Sequence, residues 1–496
     1  MELSFLLLII LPLTTAFLIP LLDVIYNKLR KVLVFSAALG EFVISIFILY
    51  YWLPDFLSGN LHLEYNLGGW ASTIGITLVL DNLSLIFSLL ISLSLFLIII
   101  YSAGFIGHHE GKYYVLLFLL LGSMQGTVLT GDIFNLYVFI ELITITSAGL
   151  VTFQRYLEEA IGGFKYLLYG VIGGLFFLIG IFLIYFNIGN LNLDIIAQNF
   201  SQINDYLKIT ILLLFLTSLL IKLGVFPFHF WLPKAHSICP SSVSALLSGV
   251  QVKVFIYVFI RLFLQVFDFS FIQAINLNSF IIGLGLLSSI VAHLMAVQAN
   301  DVKRMLAFST IGNLGLILGV IPLNTSLALF AGLLHVISHL LLKITLFTST
   351  GYILQFTEGH HLADFMRVAY QNRGIFMIFT ISALGLVGIP PLPGFFSKYY
   401  ILKAFIEVKY YIPAVLVIIS SLISFFYYLR YIFWGYNFNH KKTNKHSEAT
   451  IVAVFYRKQL VSSVIYSFFA LVVLTGFLLL LYQKSLFSQY LNIFGG

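Results

Sequence analysis

Between Leu219 and Lys253 the chain reads LLIKLGVFPFHFWLPKAHSICPSSVSALLSGVQVK. Lys222 sits inside one apolar run, Pro227, Pro233 and Pro240 interrupt it, and Lys253 sits inside the next. Proline removes a helix hydrogen bond and clashes with the preceding turn. A backbone broken at depth in a bilayer is tolerated only where protein or a water-filled cavity surrounds it. An ammonium at the bilayer centre costs about 2.5–3.5 kcal/mol even on the insertion scales that rate it lowest. Two lysines flanking one break therefore point to a polar path through a membrane.

The rest of the chain agrees. Of its 496 residues, 60% are hydrophobic and 9% charged, where a soluble domain carries about 25% charged residues. The expected fold is all-α and polytopic, with about fourteen transmembrane helices at roughly 20 residues each. The net charge of +7 is expected to mark cytoplasmic loops rather than nucleic-acid affinity. Cys239 is the one cysteine, so no disulfide can form within the chain and no metal cluster is expected. The run from Leu3 to Leu22 has no basic residue before it, and it is expected to be a first span rather than a removed signal peptide.

Span boundaries follow from apolar runs and charged loops. Span two is expected to reach Leu53 and carries Glu41, which would lie at a rim facing a partner. Pro54 to Thr77 is expected as a loop. Asp81 opens span three, which ends near Gly107-His108-His109, and span four runs from Lys112 to Thr130. Span five starts at Asp132, carries Glu141 and ends before Arg155. Span six has Lys165 near its start. Spans seven and eight are the interrupted stretch, and spans nine and ten flank the loop Asn300-Asp301-Val302-Lys303-Arg304. Span eleven carries His335, His339 and Lys343. Span twelve is broken at Gly388-Ile389-Pro390-Pro391-Leu392-Pro393-Gly394 and carries Lys398, span thirteen ends near Trp434, and a basic loop with Lys441, Lys442, Lys445, Arg457 and Lys458 leads to the last span.

Loop charge sets the orientation. With the N-terminus outside, one face holds Lys28, Arg30, Lys31, Lys112, Arg155, Lys234, Lys303, Arg304, Arg367, Arg373 and the basic loop; the other holds Lys208, Lys403, Lys409 and Lys484. That asymmetry fits a chain in the cell membrane with both termini non-cytoplasmic. Lys222 precedes one proline break and Lys398 follows another, five spans apart. An odd spacing turns the second unit over, which is the arrangement of inverted repeats with broken helices seven and twelve.

Several titratable residues lie inside the expected spans. Glu141 has a bland reading as a structural carboxylate, but an intramembrane carboxylate marks function by default, and Lys222 is its natural partner. Each would shift the other's proton affinity. Lys253 lies too deep in span eight to snorkel, and a buried lysine releases its proton readily. His335, His339 and Lys343, spaced i, i+4, i+8, share one helix face, and histidine can pass a proton through either ring nitrogen. A metal between the two histidines is disfavoured, because no acidic or cysteine ligand lies nearby in sequence. Asp132 reads equally as a helix cap, and Asp81, His229 and His236 are accessory candidates of similar weight. No phosphate-binding loop, dinucleotide fingerprint or nucleophile constellation is present, so no cofactor and no covalent chemistry are expected of this chain alone.

Six segments carry a family resemblance: TGDIFNLYVFIEL (130–142), IKLGVFPFHFWLPKAH (221–236), VSALLSGVQVKVFIYVFIRL (243–262), NDVKRMLAFSTIGNLG (300–315), HVISHLLLKITLF (335–347) and LVGIPPLPGFFSKYY (386–400). In this order they resemble the antiporter-like subunits of respiratory complex I. They look closest to the D-type subunit of multisubunit Mrp sodium/proton antiporters and to its counterpart in membrane-bound hydrogenases and sulfur reductases. The resemblance implies helices 1–3 within residues 1–112 and a first repeat at 113–265. It implies an inverted second repeat at 279–434 and a basic loop with helix 14 at 435–496. It implies Glu141 as a gating glutamate paired with Lys222, Lys253 as central proton carrier, His335, His339 and Lys343 on the connecting axis, and Lys398 as the exit lysine. Some relatives carry glutamate at that last place. No counterpart of the long lateral helix of the largest subunits is expected. The implied partners are other integral membrane subunits, antiporter-like ones included, with protons and sodium as the ions. A quinone-binding redox subunit and a standalone cation/proton antiporter are the alternatives.

Overall fold

A chain this apolar must satisfy its backbone internally, because the bilayer core offers no water to unpaired N–H and C=O groups. The computed structural model, which describes residues 4–25, 27–103, 106, 110–153, 157–357, 362–437, 461–479 and 481, is accordingly almost entirely helical. Arg155, Gly107-His108-His109, Lys484 and the basic residues Lys441, Lys442, Lys445, Arg457 and Lys458 lie outside the described residues.

Among the described residues, thirteen helices are long and apolar enough to cross a membrane. Spans 1 to 4 are Ser4–Asp23, Leu29–Tyr51, Asn82–Ser102 and Glu110–Leu129. Spans 5 to 8 are Ile133–Val151, Leu157–Ile188, Asp205–Leu223 and Ser241–Val266. Spans 9 to 11 are Leu277–Gln298, Val302–Leu323 and Ser326–Leu354, span 13 is Tyr411–Tyr436 and span 14 is Val461–Leu479. Span 12 is the exception: it is divided into Arg373–Val387 and Pro393–Glu407. Span 7 is followed, after its break, by a short helix, Trp231–Ile238.

One segment departs from the all-helical expectation. Residues 54–77 hold a short helix, Leu53–Ser58, and the first strand of a hairpin in which β1 (His62–Asn66) pairs antiparallel with β2 (Thr77–Asp81). Five-residue strands are invisible to a reading that looks for runs of twenty apolar residues. β2 also ties down its neighbours: the Gly131 amide donates to Thr77 O (2.8 Å), and isolated bridges join Leu78 to Thr130 and Asp132 to Asn192. Asp81, the last residue of the hairpin, then caps span 3 in a reciprocal bond with Ser84.

Both breaks use the same local chemistry. Span 7 ends at Gly224 and the first half of span 12 at Gly388, each with positive φ (61° and 100°), where a side chain would be strained. The freed backbone groups find protein partners: Trp231 Nε1 donates to Ile221 O (3.0 Å), Ser288 Oγ accepts from the Phe226 amide (3.0 Å), and Lys398 Nζ donates to Val387 O (3.1 Å). This is how a bilayer-depth break is stabilised.

Spans 4–8 pack on one another, as do spans 9–13, and span 8 meets span 11 where the two groups join. Spans 8, 10 and 11 are almost wholly buried. Glu41, expected at a rim, is instead 1% exposed and accepts from Gln125 Nε2 of span 4 (3.2 Å), which also bonds Ser88 and Ser92 of span 3. A carboxyl in an apolar span is held by the nearest polar neighbour, and here that neighbour is internal.

Spans 9 and 10 approach most closely through glycine. A Cβ on Gly315 would lie 2.4 Å from Gly285 O and 2.7 Å from the Ser289 amide nitrogen. Gly315→Val therefore forces two backbones apart, at a cost of about 1–3 kcal/mol or more. It should lower the melting temperature of the detergent-solubilised protein, which thermal-shift size exclusion measures; an unchanged melting temperature would contradict this packing.

Candidate functional site

The ion pair is built from three spans. Glu141 lies in span 5, and Lys222 lies in the last turn of span 7, just before the break. Lys222 Nζ donates to Glu141 Oε1 at 2.7 Å and to Thr144 Oγ1 at 2.7 Å. Thr144 follows Glu141 by three residues, so both acceptors share a helix face. Span 6 makes room with Gly173 and Gly174: a Cβ on Gly174 would lie 2.1 Å from Glu141 Oε1, and one on Gly173 would lie 3.4 Å from Lys222 Cε. The Lys222 side chain is 3% exposed and that of Glu141 18%. The lysine is thus sealed, and the carboxylate keeps some access.

A second polar cluster joins spans 5, 6 and 8. Gln251 Nε2 donates to Tyr166 OH of span 6 (2.5 Å), and Gln251 Oε1 accepts from Ser147 of span 5 (2.9 Å). Lys253, two residues on, donates to Ser248 O at 2.5 Å. The backbone here is not regular: Leu247–Gln251 and Arg261–Val266 are π-helical and flank the α-helical Val252–Ile260. Such turns recur at functional sites because they free and re-aim carbonyls.

Span 11 continues the polar core. Lys343 Nζ donates to Leu306 O of span 10 (2.7 Å). His335 meets Ser397 Oγ through Nδ1 (2.9 Å) and Asn313 Oδ1 through Nε2 (3.2 Å). His339 stacks nearly parallel to His335 at 6.1 Å, and neither of its ring nitrogens has a partner among the described residues. Lys398, in the second half of span 12, caps the first half through Val387 O. A cation at a helix C-terminus is favoured by the helix dipole. All five of Lys253, His335, His339, Lys343 and Lys398 are buried.

The accessory candidates separate. Asp132 caps span 5, accepting from the Asn135 amide at 2.7 Å. Asp81 pairs with Arg261 (2.6 Å), which also donates to Tyr257 OH (2.8 Å). His229 lines a cavity of about 370 Å³ beside the break. His236 stacks on Phe347 at 5.4 Å, one turn from Lys343. Among the described residues no three His, Cys, Asp or Glu side chains converge as a metal site would require.

Sequence reasoning missed Thr144, Gly173-Gly174, the Gln251 link, Asn313, Ser397, the Asp81–Arg261 pair, and Lys303, which is buried rather than in an open loop. The polar residue three positions from Glu141 and the glycine pair inside an apolar run were the available signals. Pairings across spans leave no trace in one sequence.

Residues 130–424 match the family model described as NADH:quinone oxidoreductase/Mrp antiporter, transmembrane. The chain is 30% identical to the NADH-quinone oxidoreductase subunit N of Desulforudis audaxviator over 74% of each chain. It is 29% identical to the D subunit of the Na(+)/H(+) antiporter of Alkalihalophilus pseudofirmus, over 86% of this chain and 87% of that one. A chain in the structure of the membrane-bound sulfane sulfur reductase, an archaeal respiratory membrane complex, superposes with a TM-score of 0.85 at 27% identity, covering 99% of this chain and 97% of the other. One in the Mrp complex of Dietzia sp. shares the fold, with a TM-score of 0.81 at 22% identity over 99% and 96%. With more than half its length matched by that model, the chain belongs to the NADH:quinone oxidoreductase/Mrp antiporter transmembrane family.

Proposed function

We propose that this chain is the proton-translocating, antiporter-like subunit of a multisubunit membrane complex. The observation that carries the reading is the Glu141–Lys222 pair (2.7 Å) together with buried lysines whose hydrogen-bond partners among the described residues are backbone carbonyls, not carboxylates. A proton on Glu141 releases Lys222, and a proton taken from Lys222 releases Glu141. Protons then pass from the pair to Lys253, across His339, His335 and Lys343, and out by Lys398. Spans 4–8 and 9–13 act as two inverted repeats, broken at spans 7 and 12. Residues 1–112, 113–265, 279–434 and 435–496 are the corresponding units.

The driving reaction, redox chemistry or sodium exchange, lies on other subunits. The relatives support this: one is named as a subunit of a quinone oxidoreductase, another as a subunit of a sodium/proton antiporter, and the superposing chains come from structures of membrane complexes. The partners are other integral membrane subunits, antiporter-like ones included. Both termini face the non-cytoplasmic side of the cell membrane, which puts the basic loops inside.

Glu141→Gln removes the charge while keeping the shape. It should abolish proton flux into inverted vesicles carrying the complex, at normal abundance of the chain. A wild-type rate there would sink the role given to the pair. Gly174→Ala should act through the same pair, since the new methyl displaces the Glu141 carboxylate from Lys222; a loss of at least about tenfold is expected, within the range a positioned proton-transfer group supplies. The check is flux in vesicles whose thermal stability matches wild type. Lys398→Ala should be nearly as severe, and full flux in that variant would move the exit away from span 12.

A further inference from the structure

His335 is tied at both ring nitrogens. Nε2 faces Asn313 Oδ1 of span 10 at 3.2 Å, and Nδ1 faces Ser397 Oγ of span 12 at 2.9 Å. All three side chains are buried. Donor and acceptor chemistry places the hydrogens on these contacts. Asn313 Nδ2 donates to Ser309 O at 2.7 Å. A carbonyl only accepts, so the amide nitrogen lies on that side and the amide oxygen faces the ring. Nε2 therefore carries a hydrogen whether His335 is neutral or charged. A neutral imidazole has one ring hydrogen in all, which leaves Nδ1 as an acceptor.

Ser397 has to answer both states. Its hydroxyl lies 2.9 Å from His335 Nδ1 and 3.0 Å from Gly394 O. One hydroxyl hydrogen cannot serve both acceptors. Beside a neutral ring it points to Nδ1. Beside an imidazolium, Nδ1–H donates to Oγ and the hydroxyl hydrogen turns to Gly394 O. Neither seat leaves an orphan, because the Gly394 carbonyl also takes the helix bond from the Lys398 amide. A Cβ on Gly394 would lie 2.0 Å from Gly385 O. The two halves of span 12 thus touch backbone to backbone at the turn that carries Ser397. The charged and titratable groups that act on the ring are Lys398 of span 12 and Lys253 of span 8, His293 of span 9 and His339 on its own span.

We propose that Asn313 and Ser397 are positioning residues for proton transfer at His335: Asn313 fixes the neutral ring as its Nε2–H tautomer, so that protons come and go at Nδ1 alone, and the Ser397 hydroxyl reverses with each event. One proton arrives along the axis and forms the Nδ1–H bond. The hydroxyl hydrogen changes acceptor by rotation about its own C–O bond, and no covalent bond breaks. Release runs the same steps backwards. The exchanging nitrogen is thereby the one that faces span 12. This inference rests on the proton-axis reading above.

The test is solid-state nitrogen NMR of the whole complex in lipid, with histidine labelled at both ring nitrogens. The His335 signals are those lost in His335→Gln. At high pH the wild-type ring should show Nε2 protonated and Nδ1 bare. Asn313→Leu should turn the neutral ring over to its Nδ1–H tautomer. Proton flux into inverted vesicles should fall by at least about tenfold in Ser397→Ala, the scale of one hydrogen bond to a charged group, and Ser397→Thr should restore most of it. A neutral wild-type ring protonated at Nδ1 overturns the proposal, as does a ring that stays doubly protonated at every pH. So does wild-type flux in Ser397→Ala, or a threonine variant no better than alanine. Should the variants fail to assemble, the wild-type spectrum decides without them. Glu141→Gln, run alongside, separates the two readings: intact flux there defeats the axis itself, whereas lost flux with normal flux in Ser397→Ala defeats this inference alone.

Discussion

The core of this protein is organised by the scarcity of counter-ions. Lys222 has a carboxylate partner, but Lys253, Lys303, Lys343 and Lys398 are each tied to a main-chain oxygen. A carbonyl offers an ammonium one good hydrogen bond and no net charge. Removing such a group from water costs several kcal/mol that a lone dipole does not return. The lysines also act on one another, as Lys253 does on Lys343.

The same scarcity explains the local irregularities. Three of the lysines sit where a helix is irregular, Lys222 and Lys398 beside breaks and Lys253 beside a π-helical turn, whereas Lys343 bonds Leu306 O within the regular helix of span 10. Glycine pairs admit the groups without lengthening the distances, as Gly173 and Gly174 do around the ion pair. The polar core is less a constellation of unusual side chains than a set of interruptions in otherwise ordinary helices.

Much of this was legible in the sequence, for a physical reason. Apolar runs of span length, proline breaks and lysines inside them are one-dimensional signals, and a bilayer leaves few ways to satisfy them. The broken twelfth span and the Glu141–Lys222 pairing follow from such signals. What was not legible depends on which faces meet. Glu41 reads as a rim residue until span 4 supplies Gln125. Asp81 reads as an isolated acid until Arg261 arrives from the far end of span 8. Lys303 reads as a loop cation, because position in a charged turn says nothing of the direction a long side chain takes. The hairpin escaped because its strands are short and half polar.

That hairpin has a mechanical meaning. Its second strand grips the turn between spans 4 and 5, and the same turn grips the start of the chain segment leading to span 7. Main-chain bonds of this kind hold the turn in register. They hold the start of span 5 as a pivot, so a tilt of that span would be a swing about this end. For a lever of that sort, motion grows with distance from the pivot, and the Glu141–Lys222 contact lies well down the arm. A tilt of that kind would be felt first by atoms that sit 2.7 Å from each other.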